Sequence, residues 1–148
     1  MILHKAGEYA IQISLHLAME GEGRYVPIRD LADRGRAPYH FLGKICQRMC
    51  QGGILRSSKG PRGGVALARP PREITLLQVL EAIDGLAGFD RCVLGLEPCS
   101  NERPCPVHPR WASIKEDIRA MLSEKRLRDL AAEVADGRST LEVEVGSG

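Results

Sequence analysis

Pro27–Ala68 reads PIRDLADRGRAPYHFLGKICQRMCQGGILRSSKGPRGGVALA, and this stretch decides the fold. Pro27–Asp33 predicts a short helix, followed by the turn Arg34-Gly35-Arg36-Ala37. Pro38 then suits the first position of another helix, because its missing N–H has no intrahelical partner there. In that helix Leu42, Ile45, Cys46 and Met49 fall at i, i+3, i+4 and i+7, while His40, Gly43, Lys44 and Gln47 repeat the offsets on the opposite face. Such a pair is either a helix-turn-helix or an ordinary helical hairpin. The residues that follow favour the first. Gln51-Gly52-Gly53 caps the helix, Ile54–Ser57 and Val65–Ala68 read as strands, and Ser58-Lys59-Gly60-Pro61-Arg62-Gly63-Gly64 joins them. A basic, glycine-rich hairpin directly after a helix-turn-helix is a winged helix.

The chemistry expected of that module is DNA binding. The polar face of the third helix would lie in the major groove, with Tyr39, His40 and Lys44 nearest the bases. A small charged tip can enter a minor groove with Lys59 or Arg62 on its narrow, negative floor. Arg29, Arg48 and Ser58 complete the set expected on DNA. Nucleotide phosphate binding is the alternative for a glycine-rich loop, but the spacing fits neither the Walker nor the dinucleotide pattern and no helix follows it.

Charge supports a polyanion partner. From Arg29 to Arg69 there are nine Lys/Arg against Asp30 and Asp33, a balance of +7, whereas Pro70 onward carries ten against fourteen, a balance of −4. The overall net charge of +2 hides this asymmetry. At 148 residues the chain is one domain, or one small domain with an extension. Aromatics make up only 4%, so the core must rest on aliphatic residues. No apolar run reaches the roughly 20 residues of a membrane span, and Glu8 interrupts anything resembling a signal peptide, which makes the cytoplasm the expected location.

Upstream, Ala6, Tyr9, Ala10, Ile13 and Leu17 predict an amphipathic helix over Lys5–Met19, with Ile11, Leu15 and Ala18 as a second stripe. Two apolar stripes predict burial against another element or a partner subunit. Downstream, Thr75 is placed to cap a helix whose core stripe is Leu76, Leu77, Val79, Leu80 and Ile83. From about Pro109 to Ala135, Trp111, Ile114, Ile118 and Leu122, then Leu127, Leu130 and Val134, predict one helix of about 27 residues and about 40 Å. That is too long for so small a body to cover, so pairing with a second copy is expected. The expected divisions are therefore a DNA-binding domain over 1–85, a cysteine-rich loop over 86–108, a dimerisation helix over 109–136 and a tail over 137–148.

The loop reads CVLGLEPCSNERPCPVH from Cys92 to His108, a C-x6-C-x5-C-x2-H pattern among four prolines counting Pro109. Four soft ligands in a stretch that cannot form regular structure point to a metal ion or a metal–sulfur cluster. Five cysteines leave one over in any disulfide framework. Cys46 and Cys50 belong to the third helix and read as core or near-core thiols, Cys46 sharing the apolar stripe. A thiol redox enzyme is a rival reading, without a C-x-x-C or a βαβ pattern in its favour.

Glu8-Tyr9-Ala10, Phe41-Leu42-x-Lys44-Ile45 leading to Gly53-Ile54-Leu55, Lys59-Gly60-Pro61-x-Gly63-Gly64 and Cys92…Cys99…Cys105-x-x-His108-x-x-Trp111 together resemble the IscR/NsrR-type transcription regulators, the Rrf-two family. The resemblance spans nearly all of Met1 to Ala135. It implies a mainly α, winged helix-turn-helix protein with a two-stranded wing and a long C-terminal dimerisation helix, which binds a palindromic promoter site as a homodimer and is not an enzyme. It also implies an iron–sulfur cluster on Cys92, Cys99 and Cys105, whose state modulates binding, as a repressor for example. The fourth ligand would be His108, as in members holding a 2Fe–2S cluster, or Glu8 of the partner subunit, as in members holding a 4Fe–4S cluster. His108 and 2Fe–2S are favoured, since the imidazole is the softer ligand and shares the loop. Zinc on the same Cys3His set is the alternative. Lys59 stands where an arginine is common and lacks its planar fork. Val65 stands where an aromatic is common.

Overall fold

Helix α1, Lys5–Glu20, is the element around which the others pack. In the computed structural model, which describes residues 4–83, 94, 102 and 104–137, it is followed by α2 (Ile28–Gly35), α3 (Tyr39–Gln51), strands β1 (Leu55–Ser58) and β2 (Gly64–Leu67), and helices α4 (Leu76–Ala82), α5 (His108–Glu124) and α6 (Leu127–Ala135). The two apolar stripes of α1 are both covered within the chain. Ala10, Ile13 and Leu17 are fully buried in the main core with Leu31, Leu42, Ile45, Met49, Ile54, Val65 and Ile74. Ile11 packs against the pair formed by Leu80 of α4 and Leu122 of α5. The second stripe thus has another element as its partner, and each buried aliphatic side chain contributes about 1.5–3 kcal/mol.

The α2–α3 connection turns on Arg36, the one described non-glycine residue with positive φ (φ 49°, ψ 41°), whose N–H bonds the Ala32 and Asp33 carbonyls. Pro38 has extended backbone and caps α3 from outside, so the helix starts one residue later than its composition predicts. The strands pair antiparallel with Leu55 opposite Leu67 and Ser58 opposite Gly64, each one residue away from the expected span. A third segment joins them. Val26 forms a two-bond bridge with Val65, both bonds 2.9 Å, tying the tip-proximal part of β2 to the entrance of α2. The approach is so close that a Cβ on Gly64 (φ +145°) would lie 2.2 Å from the Val26 oxygen.

Helix α4 is set by a complete capping box: the Thr75 hydroxyl accepts from the Gln78 N–H at 3.1 Å, and the Gln78 side chain accepts from the Thr75 N–H at 2.9 Å. Beyond the loop, the single helix expected from Pro109 to Ala135 is two. Lys125 and Arg126 are extended (ψ 118° and 152°), and they pair with the strand-like residues before α4. Leu76 N–H donates to the Lys125 carbonyl at 3.1 Å and Leu127 N–H to the Ile74 carbonyl at 2.9 Å. Those bonds redirect the chain so that α6 folds back on α1 and fully buries Leu127. Helix α5 keeps 17 residues, about 25 Å, instead of the expected 40 Å. Among the described residues no helix is long and apolar enough to cross a membrane.

Candidate nucleic-acid interface

The amphipathic division of α3 holds as its spacing predicts. Leu42, Ile45, Cys46 and Met49 are buried, and His40, Lys44 and Gln47 face outward. Gly43 sits among the outward residues with nothing within 4 Å of where a Cβ would be, leaving a shallow place in the face. At the head of the helix Tyr39 is 46% exposed, its ring edge-on to His40 at 5.4 Å and under the Arg29 guanidinium at 5.5 Å. Phe41 points back to α1, edge-on to Tyr9 at 5.7 Å.

At the wing, Ser58, Lys59 and Arg62 are all exposed around a tight tip. Gly60 takes positive φ (+102°) and its carbonyl accepts from Gly63 N–H at 2.9 Å. A Cβ at Gly63 would lie 2.2 Å from the Ser58 oxygen, so the tip closes only without a side chain there. Both cations therefore project from a short, rigid loop.

Arg48 behaves differently from the other cations expected on DNA. Its guanidinium donates to the carbonyl of Ile83, which ties the C-terminal half of α3 to the end of α4. Arg34 is paired with Glu20. Sequence reasoning passed over Tyr25, whose ring lies 5.6 Å from the Arg56 guanidinium at the base of the wing. No periodicity signals such a pair, because the two residues are far apart in the chain.

The cysteines divide into two groups. Cys46 is fully buried, and burial together with neighbouring Cys50 pushes its thiol up to about 12, while burial raises Cys50 against a hydrogen bond from Ser57. Cys46 is a core thiol, as its helix stripe predicts, Cys50 lies at the edge of the core, and both are poor ligands at neutral pH. Cys105 is half-buried and His108, 7% exposed, opens α5 with its N–H bonded to the Cys105 carbonyl at 3.0 Å. A thiol and an imidazole are thus joined by one tight turn at the head of a helix, a donor pair that suits zinc or an iron–sulfur cluster alike. Cys92 and Cys99 lie outside the described residues, and among the described ones no three His, Cys, Asp or Glu side chains converge. Glu8, in the first turn of α1, is paired with Lys5 at 3.4 Å.

Residues 3–133 match the family model Rrf2, described as an iron-dependent transcriptional regulator. The chain is 29% identical over 130 residues to the HTH-type transcriptional regulator IscR of Photorhabdus laumondii, covering 88% of this chain and 79% of that one. It is likewise 29% identical over 143 residues to IscR of Yersinia pseudotuberculosis, covering 97% and 84%. Among solved structures, T. potens IscR superposes with a TM-score of 0.74 at 20% identity over 96% of this chain and 94% of that chain. CymR, the global cysteine regulator of B. subtilis, superposes with 0.72 at 23% identity over 89% and 97%.

Proposed function

This chain belongs to the Rrf2 family of transcriptional regulators, and we propose that it binds a palindromic promoter site as a cytoplasmic homodimer whose affinity is tuned by an iron–sulfur cluster. The observation that carries the DNA-binding part is the joint presentation of α3 and the wing. His40, Lys44 and Gln47 lie on one open face, Lys59 and Arg62 on a rigid tip, and the Val26–Val65 bridge holds the two at a set angle. A helix for the major groove and a basic tip for the adjacent minor groove can then engage one half-site together.

Dimerisation is supported by α5. Its inner face meets α4 through Leu122 and Ile118, while Ile114 (38% exposed) and Met121 (53%), seven residues apart, form an exposed stripe that flanks it. A second copy laid along that stripe would cover both. Reading a palindrome then requires the two α3 helices to stand about 34 Å apart, one DNA turn.

Cys92, Cys99 and Cys105 would hold the cluster, with His108 as the fourth ligand in preference to Glu8 of the partner subunit and 2Fe–2S in preference to 4Fe–4S. When bound, the cluster supplies sensitivity to oxidants, nitric oxide and iron supply. His108 opens α5 and Cys105 lies in the turn just before it, so whatever they hold is directly coupled to the helix that carries the exposed stripe. Zinc on the same four residues is the competing assignment. Protein purified without air, with iron, sulfide and zinc counted and the visible spectrum recorded, separates the two. Iron and sulfide in equal amounts with visible absorption support the cluster; stoichiometric zinc in a colourless protein overturns it. Replacing Cys105 by Ser should abolish the bound iron while the far-ultraviolet circular dichroism of the winged helix is kept.

A further inference from the structure

Arg29 and Tyr39 stand at the N-terminal ends of α2 and α3, and the Arg29 guanidinium lies 5.5 Å from the Tyr39 ring centroid. Arg29 belongs to none of the ion pairs among the described residues, whereas Arg34, on the same helix, is paired with Glu20. The difference in partner matters chemically. A carboxylate orients a guanidinium by occupying its N–H groups and cancelling its charge. An aromatic face orients it through the ring quadrupole and leaves both charge and edge N–H groups available. We infer that Tyr39 is a positioning residue rather than a base reader, and that it holds Arg29 ready to bind a DNA phosphate beside the major groove. This rests on the DNA-binding reading above and deepens it at one point.

The surroundings agree. The first helix of a helix-turn-helix crosses the phosphate backbone while the N-terminus of the second enters the groove, so a cation at the start of α2 meets phosphate first. Tyr39 also meets the ring of His40 edge-on at 5.4 Å, a second contact that restricts its ring. Pro27 and Pro38, one just before each helix, restrict the backbones on which Arg29 and Tyr39 stand. Arg29 is thereby ordered before DNA arrives, and binding needs less loss of side-chain freedom.

The test is a salt titration of binding to a random-sequence duplex of roughly 30 base pairs, followed by fluorescence anisotropy on the full chain. Sequence-independent binding comes almost entirely from neutralised phosphates, so base reading does not enter. Arg29→Ala should lower the slope of log K against log salt by about 0.9 for each phosphate left without its cation, which is about eight-fold in affinity at roughly 0.1 M salt relative to 1 M. Tyr39→Ala should lower the slope by more than half as much although it removes no charge. Tyr39→Phe, which keeps the ring, should restore the wild-type slope. The double variant Arg29→Ala/Tyr39→Ala should show no further decrease beyond Arg29→Ala. A Tyr39→Ala protein with unchanged helix content and unchanged slope overturns the inference, and so does additivity in the double variant. Absence of any salt-dependent binding by the wild type overturns the DNA-binding reading itself, which is a separate result.

Discussion

Replacing Gly64 by Ala tests whether the joint between wing and helix-turn-helix holds the interface together. The new Cβ would lie 2.2 Å from the Val26 oxygen, 2.4 Å from its carbonyl carbon and 2.7 Å from the Pro27 nitrogen. All three are backbone atoms, so no side-chain rotation can relieve the overlap. Relief requires β2 to move off Val26, which breaks the two 2.9 Å bonds of the Val26–Val65 bridge. Two buried hydrogen bonds are worth about 1–3 kcal/mol net. A non-glycine residue at φ +145° adds about 1–3 kcal/mol. The total, about 4 kcal/mol, is a large share of the roughly 5–15 kcal/mol that a domain has. With an m-value near 2 kcal/mol per molar, the urea midpoint should fall by about 2 M, read from helix circular dichroism. Gly53→Ala is the matched control, because φ is also positive (+80°) but nothing lies within 4 Å of its Cβ. It should cost only about 1–2 kcal/mol. The loosened wing should also release phosphates, so that the salt dependence of duplex binding falls by about 0.9 for each of Lys59 and Arg62 that disengages. If Gly64→Ala melts no earlier than Gly53→Ala, the bridge does not set the wing angle.

The redirection at Lys125-Arg126 makes Leu127 the anchor of α6, fully buried beneath α1 and next to Ile74. Leu127→Ala should therefore cost about 2–5 kcal/mol in urea denaturation, whereas an uninterrupted, solvent-flanked helix would lose well under 1 kcal/mol at that position. His16, on α1, has its imidazole pKa lowered by burial first and by neighbouring Arg34 second, with Glu20 opposing. The folded state thus prefers the neutral ring, and its contribution to stability is present above the unfolded-state pKa of about 6.5 and is lost as pH falls below it. His16→Gln should flatten the decline in stability between about pH 7 and pH 5; an unchanged decline would assign it to other groups.

The local features of this protein were determined by its sequence. Apolar spacing of three and four placed the helices, Thr75 announced the start of α4, and the glycines with Lys59 and Arg62 announced the wing, because each depends on neighbours a few residues away. The division of α3 into a buried and an open face, and the burial of Cys46, were legible for the same reason. Only the tertiary structure decided what distant backbones do to one another. The Val26–Val65 bridge, the Arg48 bond to Ile83 and the Arg29–Tyr39 stack join residues whose proximity no period encodes. The C-terminal region shows the difference most clearly. Its apolar residues resume helical spacing after Lys125 and Arg126, yet pairing of those backbones with Ile74–Leu76 satisfied polar groups and buried Leu127, and that non-local gain outweighed the local preference to continue one helix.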